Sequence, residues 1–200
     1  ERAEEPPSID RWPRGFVLPS PNMPTAETMA VYPGGCLLEG TNLSEGRGHT
    51  RPFEVFGAPW LDGERWAREL MALGLAGFVA RPLTFIPTFH KHAKEVCGGM
   101  QIHVTDARRF RPVACYAAAI ALAWAQDPDK CRFRTERYEY VDDIPAFDLL
   151  TGSPAAREAI SDARPAREVA ELVSSVDVAR WNDERAEAAA AMRACRHREP

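Results

Sequence analysis

Hydrophobic and polar positions repeat along this chain with helical spacing in some stretches and with strand-like alternation in others. After Asp62, the apolar residues Trp66, Leu70 and Leu73 fall on one helical face, predicting a helix capped by Asp62 and running to Leu73. Residues 112–126 are Ala-rich and almost continuously apolar, with Pro112 suited to a first turn, which predicts a buried helix. Residues 53–56, 100–104 and 133–141 read as strands. Residues 78–89 form a long extended stretch broken by Pro82 and Pro87; proline has no N–H for a ladder, so an edge strand is expected. Further helices are predicted at residues 146–150 and 155–163, and from 166 to about 195 with a break near 177–182.

The first fifty residues are dense in Pro and Gly. Residues 15–18 read as a short buried strand, stopped by Pro19 and Pro21. Thr25 is placed to cap a helix through Tyr32, ended by Pro33, Gly34 and Gly35, and residues 36–39 read as a second strand. Strand, helix, strand is the βαβ pattern of a parallel sheet. Two strands do not make a stable sheet alone, so this piece is expected to belong to a larger α/β domain lying mostly upstream. The fold class is therefore read as α/β: the end of a Rossmann-like parallel-sheet domain, followed by a smaller mixed α/β (α+β) domain.

With 200 residues, 45% of them apolar, the chain can bury a core. Its formal net charge of −4 argues against a nucleic-acid partner, and the short Arg-rich pieces around Arg109 and Arg134 have acidic neighbours. No apolar run reaches the ~20 residues of a membrane span. The charged, Pro-rich opening without an initiator Met reads as a cut inside a longer protein. Five cysteines without CxxC or zinc-type spacing read as isolated, mostly buried thiols.

Chemistry concentrates in residues 39–48, Glu-Gly-Thr-Asn-Leu-Ser-Glu-Gly-Arg-Gly, directly after the second predicted strand. Open α/β sheets bind ligands at the carboxyl ends of their strands, and the glycines permit tight turns and close approach. Glu39 and Glu45 could serve acid/base chemistry, with Arg47 gripping a substrate carboxylate. The alternative is a solvated surface loop. The glycine spacing matches neither a phosphate loop nor a dinucleotide fingerprint, and no nicotinamide or other cofactor is expected. His90 and His92 would share one strand face, but a third metal ligand of matching geometry is not evident, so ordinary hydrogen-bonded histidines are expected and no metal. Trp60, beside Pro59, fits core packing better than sugar stacking.

Several ordered strings go further. Residues 19–25 (Pro-Ser-Pro-Asn-Met-Pro-Thr), 32–34 (Tyr-Pro-Gly), 38–48, 52–54 (Pro-Phe-Glu), 57–60 (Gly-Ala-Pro-Trp), Pro87-Thr88-Phe89 with Lys91-His92, 101–106 (Gln-Ile-His-Val-Thr-Asp) and 148–153 (Asp-Leu-Leu-Thr-Gly-Ser) together resemble the NamZ-type exo-β-N-acetylmuramidases. His49 and Ala93-Lys94 depart from that pattern. The resemblance implies a two-domain glycosidase that binds muropeptide or peptidoglycan sugar fragments in a cleft between domains and releases non-reducing-end N-acetylmuramic acid. It implies that residues 1–52 end the catalytic domain and 53–200 form the auxiliary domain. It also implies an exported parent, periplasmic or extracellular. Glu39 and Glu45 carry over as catalytic residues, and Asn22, Asn42, Arg47 and His92 as substrate-binding residues. Part of the active site, including a carboxylate partner, is expected upstream, because most glycosidases use two carboxyl groups. Glu39, at the end of an apolar strand, is expected to be the more desolvated and the general acid; Glu45, between Ser44 and Gly46 and two residues from Arg47, is expected to stay ionised and to orient substrate or water. The alternative is a non-catalytic module that binds cell-wall fragments.

Overall fold

A computed structural model describes residues 15–175 and 177–196. α1 (Ala26–Gly35) is capped as its sequence predicts, the Thr28 N–H donating to Thr25 Oγ1 at 3.2 Å. α2 (Gly63–Ala72) is capped by Asp62, whose Oδ1 accepts from the Arg65 N–H at 2.9 Å. Between and beyond them lie β1 (Val55–Ala58), β2 (Phe78–Phe85) and β3 (Cys97–Val104). These form one antiparallel sheet in the order β1-β3-β2, with Val55 opposite Gln101 and Phe78 opposite Val104. β2 is an edge strand, as Pro82 requires.

α3 (Pro112–Gln126) is the hub of the core. Nine of its fifteen residues are buried, six of them alanines, so its neighbours can approach closely. α1, α2 and α6 (Ala166–Ser174) pack around it, with the short helices α4 (Ala146–Thr151) and α5 (Ala155–Ser161) filling one end. Trp66, fully buried, donates from Nε1 to the Ala119 carbonyl at 2.8 Å and meets Phe56 edge-on. α7 (Ala179–Arg196) follows, exposed over nearly all of the part whose side chains are described.

Three predicted strands are corrected. Residues 15–18 are exposed coil: with no neighbouring strand among the described residues to pair their backbone, Phe16, Val17 and Leu18 stay solvated. Residues 36–39 belong to a 3-10 turn, Cys36–Gly40, which continues directly from α1. Its consecutive Leu37 and Leu38 are both buried, and a run this short has no period to separate helix from strand. Residues 133–141 form a strap with only a bridge from Phe133 to Thr41 and a tight hairpin between Tyr138 and Val141. No strand among the described residues precedes β1, so the parallel sheet expected there is not part of the described structure. Instead Val31, Leu37 and Leu38 join the same core as α3. The break expected at 177–182 lies just before Ala179, so α6 and α7 are separate helices. Cys97, Cys115 and Cys131 are buried free thiols and Cys36 is half-buried. None of the described helices is long and apolar enough to cross a membrane.

Candidate active site

The segment after the 3-10 turn runs through buried Thr41, Leu43 and Ser44 before it turns outward at Gly46 and Gly48. Both glycines have positive φ (66° and 79°), and a Cβ at Gly48 would lie 1.6 Å from Thr88 Oγ1. Only glycine gives this turn its handedness and its close contact with the 87–95 loop. The turn carries Arg47 back over the two carboxylates. Arg47 Nη2 lies 3.3 Å from Glu39 Oε1, and Arg47 Nε lies 3.7 Å from Glu45 Oε1. The guanidinium rests over the Phe53 ring, 5.5 Å from its centroid.

Lys91 completes the cluster from the far loop. Its ammonium donates to the carbonyls of Leu38 (2.8 Å) and Leu43 (3.1 Å) and to Glu45 Oε1 (3.2 Å). All three ammonium donors are thus used inside the protein. Burial pulls the Lys91 pKa below its ordinary value, and the charges of Glu45 and Glu39 oppose that pull. The loop is strained to deliver this side chain: His90, Lys94 and His92 all adopt positive φ (69°, 69° and 56°). Left-handed conformations at non-glycine residues cost about 1 kcal/mol or more each, so such a loop persists only where its surroundings hold it. Those contacts include Thr88 N–H to the Arg47 carbonyl at 3.2 Å and Lys94 N–H to the Pro87 carbonyl at 2.8 Å. Phe53, also at positive φ (67°), donates from N–H to the Glu45 carbonyl at 2.8 Å and accepts from buried Tyr116 Oη at 2.7 Å.

The expected contrast between the glutamates is reversed. Glu45 is 1% exposed, whereas the Glu39 side chain is 15% exposed. Glu39 ends a turn rather than a buried strand, and the chain buries Glu45 by pairing it with Lys91 and leaves its Oε2 without a protein partner. Glu39 is the reachable carboxylate. Its Oε2 accepts a 2.9 Å hydrogen bond from Tyr138 Oη, on the strap.

The other predicted site residues divide. His92 lies next to Lys91, with Nε2 2.7 Å from the Asn42 carbonyl and its ring edge-on to Trp60; it sits in a turn, not on the strand face expected for His90 and His92. Trp60 packs partly buried against the core. The Asn42 amide is used by the segment that leads into the strap: its Nδ2 donates to the Lys130 carbonyl (2.8 Å) and its Oδ1 accepts from the Arg132 N–H (2.9 Å). Asn22 lies in the turn before α1, its N–H 3.4 Å from Ser20 Oγ, and no described contact joins it to Glu39 or Arg47. The sequence alone does not single out Tyr138, 99 positions beyond Glu39, and carries Lys91 only within a family-like string. The approach of both depends on long-range folding that no local spacing records.

Residues 30–189 match the family model described as exo-β-N-acetylmuramidase NamZ, C-terminal. Over 147 residues the chain is 40% identical to the peptidoglycan β-N-acetylmuramidase NamZ of Bacillus subtilis (strain 168), covering 74% of this chain and 34% of that protein. The chain thus spans about a third of the length of the curated relative it matches. In fold it is similar to a DUF1343 family protein of Bacteroides fragilis NCTC 9343, seen by crystallography, with TM-score 0.64 and 24% identity over 81% of this chain and 45% of that one.

Proposed function

This chain belongs to the exo-β-N-acetylmuramidase NamZ family, matching its C-terminal part, and from that premise we propose that it forms one wall of a glycosidase site that releases non-reducing-end N-acetylmuramic acid from peptidoglycan fragments. The observation that carries the reading is a reachable carboxylate, Glu39, held 3.3 Å from an incompletely buried arginine, Arg47. Muramic acid differs from N-acetylglucosamine by a lactyl ether bearing a carboxylate. A guanidinium is the natural partner for that group through charge-assisted hydrogen bonds. Glu39 then lies beside the bound sugar, placed for a carboxylate's part in hydrolysis. Glu45, buried and paired through Oε1 with Lys91, anchors Arg47 and the loop rather than touching substrate. His92 supports the Asn42 backbone, and Asn42 secures the strap, so both act on the site through others. The second carboxyl group of the mechanism comes from outside the described residues, which makes this chain alone a poor catalyst.

The core that α1 and the 3-10 turn share with α3 supports a C-terminal domain that begins before α1 instead of at residue 53, with a Rossmann-like catalytic domain preceding it. The alternative of a binding module is not favoured, since the 40% identical relative carries the name of a hydrolase. The full-length protein, assayed with chromogenic glycosides, tests the proposal. Glu39→Gln should lower kcat by roughly 100-fold or more. Arg47→Ala should cut the preference for the muramic-acid glycoside over the N-acetylglucosamine one by about 10- to 100-fold. Near-normal kcat in the first variant removes Glu39 from the chemistry; unchanged selectivity in the second removes Arg47 from recognition.

A further inference from the structure

The strap of residues 133–141 has little regular structure, yet it and the residues just before it are fastened to the Glu39 turn at several points. The Asn42 amide bonds on both sides with Lys130 and Arg132, the Asn42 N–H donates to the Arg132 carbonyl at 3.0 Å, and the Arg134 N–H donates to the Gly40 carbonyl at 2.9 Å. Beyond these ties the chain folds back on itself. Tyr138 and Val141 exchange backbone hydrogen bonds, each 3.0 Å long, and Glu139 between them takes a left-handed φ of 53°. The guanidinium of Arg134 lies over the Tyr138 ring, 5.4 Å from its centroid. Each of these features restrains one side chain, and that side chain's hydroxyl ends 2.9 Å from Glu39 Oε2.

We propose that Tyr138 is a positioning residue: the strap brings its hydroxyl onto Glu39 Oε2 while the Arg47 charge pairs with Oε1, so that the carboxylate is fixed by a hydrogen bond on one oxygen and an ion pair on the other. A carboxylate at the end of a glutamate side chain otherwise samples several rotamers, and catalysis depends on its placement within about half an ångström. The inference rests on the catalytic reading of Glu39 given above. The groups facing Tyr138 are Glu39 from the 3-10 turn, Tyr32 from α1, and Arg134 and Glu139 from the strap itself. Burial first, then the Glu39 charge and hydrogen bond, raise the Tyr138 phenol above its ordinary pKa, which gives the contact a spectroscopic signature.

Two measurements on the full-length protein separate this inference from the reading beneath it. In the first, the Tyr138 Cζ resonance is followed with pH by carbon-13 NMR. Glu39→Gln should bring the phenol titration down part of the way toward the ordinary value, because the carboxylate charge is gone while the burial remains. An unchanged titration would show that the hydroxyl and the carboxylate do not interact, and would overturn the inference. In the second, Tyr138→Phe, which keeps the ring over Arg134, should lower kcat by about 10-fold or more with KM little changed, as expected for loss of a charge-assisted hydrogen bond. Asn42→Ala, which removes the two side-chain ties and loosens the strap, should lower kcat in the same way, and the double variant should be no worse than Tyr138→Phe alone. Additive losses would overturn the role assigned to the strap. A shifted titration with an unaltered kcat in Tyr138→Phe, alongside a Glu39→Gln variant of normal kcat, would leave the contact standing and remove the catalytic reading of Glu39.

Discussion

The α3-centred core and the polar corner built from residues 38–48, 87–95 and 132–141 are packed by different rules. Around α3, helices present alanines and large apolar side chains to one another, α1 and α2 carry side-chain caps, and the polar groups of Trp66 and Tyr116 each find a carbonyl. In the corner, one carboxylate is buried, an ammonium and a guanidinium are mostly buried, and three residues of a single loop adopt left-handed backbone. Most local choices in the core agree with the fold, with Pro33 inside α1 and Phe53 at positive φ as exceptions, whereas the corner pursues charge placement at the expense of local preference. Such conflicts concentrate where a protein does something other than fold. The core provides stability that lets the corner be strained.

The sharpest way to break this contrast is to damage the core and find the corner affected equally. Trp66→Ala removes a fully buried indole, its edge-on contact with Phe56 and its bond to the Ala119 carbonyl. A loss of about 3–5 kcal/mol in unfolding free energy is expected from denaturant titration. Because none of these contacts involves Glu39, Arg47 or Lys91, kcat per folded molecule should stay near normal. A large fall in kcat under folding conditions would mean that the two regions are not separable.

The same division explains what could be read in advance. Caps at Thr25 and Asp62, Pro112 at a first turn and Pro82 in an edge strand are local signals, and α1, α2, α3 and β2 follow them. Short apolar runs carried no such signal: residues 15–18 and 36–39 looked alike, but one is solvated coil and the other a 3-10 turn with Leu37 and Leu38 buried. The strap looked like a strand from composition, and lacks a neighbour to make it one. In the site, Glu39, Glu45 and Arg47 were legible because one ten-residue string carries them all. Their burial order was not, because it depends on Lys91, 46 residues beyond Glu45, and on a strained loop whose left-handed residues are histidines and a lysine rather than glycines.

Next in size is the corner's own stability. Lys91→Met leaves buried Glu45 without its ammonium and strips a donor from the Leu38 and Leu43 carbonyls. Since the Lys91 side chain is 18% exposed, a loss of about 2–3 kcal/mol is expected, somewhat below that for breaking a fully buried pair. Adding Glu45→Leu should restore most of it, as replacing both members of a buried pair by apolar groups often does, while activity stays low in both variants. If the single variant is as stable as the parent protein by thermal melt, Lys91 is not the clamp described here.

High pH acts on both regions, mainly with one sign. The raised groups are Tyr116 and Cys115 in the core, Tyr138 and Tyr32 near the corner, and Cys36, Cys97 and Cys131 at about 11 each. Burial is the leading cause in every case. A group with a raised folded pKa contributes stability that is complete below its unfolded pKa and is lost as pH rises toward the folded one. Unfolded thiols titrate near 8.5 and unfolded phenols near 10. Stability should therefore fall from about pH 9 and more steeply above pH 10. Lys91 has the opposite sign: its folded pKa is lowered, so the unfolded chain holds the extra proton between that value and about 10.5, and stability gains there. One lysine is outnumbered by the thiols and phenols. Melting temperatures at pH 8, 9.5 and 11 should decline, and Tyr116→Phe should flatten the last step; a flat profile would contradict the burial assigned to these groups.

The smallest expected effect touches the strain itself. His90 is exposed, sits at φ 69°, and lies next to Lys91 without bonding the ammonium. Its left-handed conformation costs a histidine about 1 kcal/mol, and glycine adopts it freely. Glycine also gives the unfolded chain more freedom, which takes back part of the gain. His90→Gly should thus stabilise the protein by a few tenths of a kcal/mol up to about 1 kcal/mol. The effect on activity is the more informative quantity. If the strained loop serves only to aim Lys91, relieving one strained residue while the Thr88 and Lys94 backbone bonds remain should leave kcat unchanged. If instead the loop must move during turnover, a more permissive residue at position 90 should alter kcat and KM together. Destabilisation by His90→Gly would show that the histidine ring, not the backbone, is what this position needs, and the strain would then lose its explanation as the cost of placing Lys91.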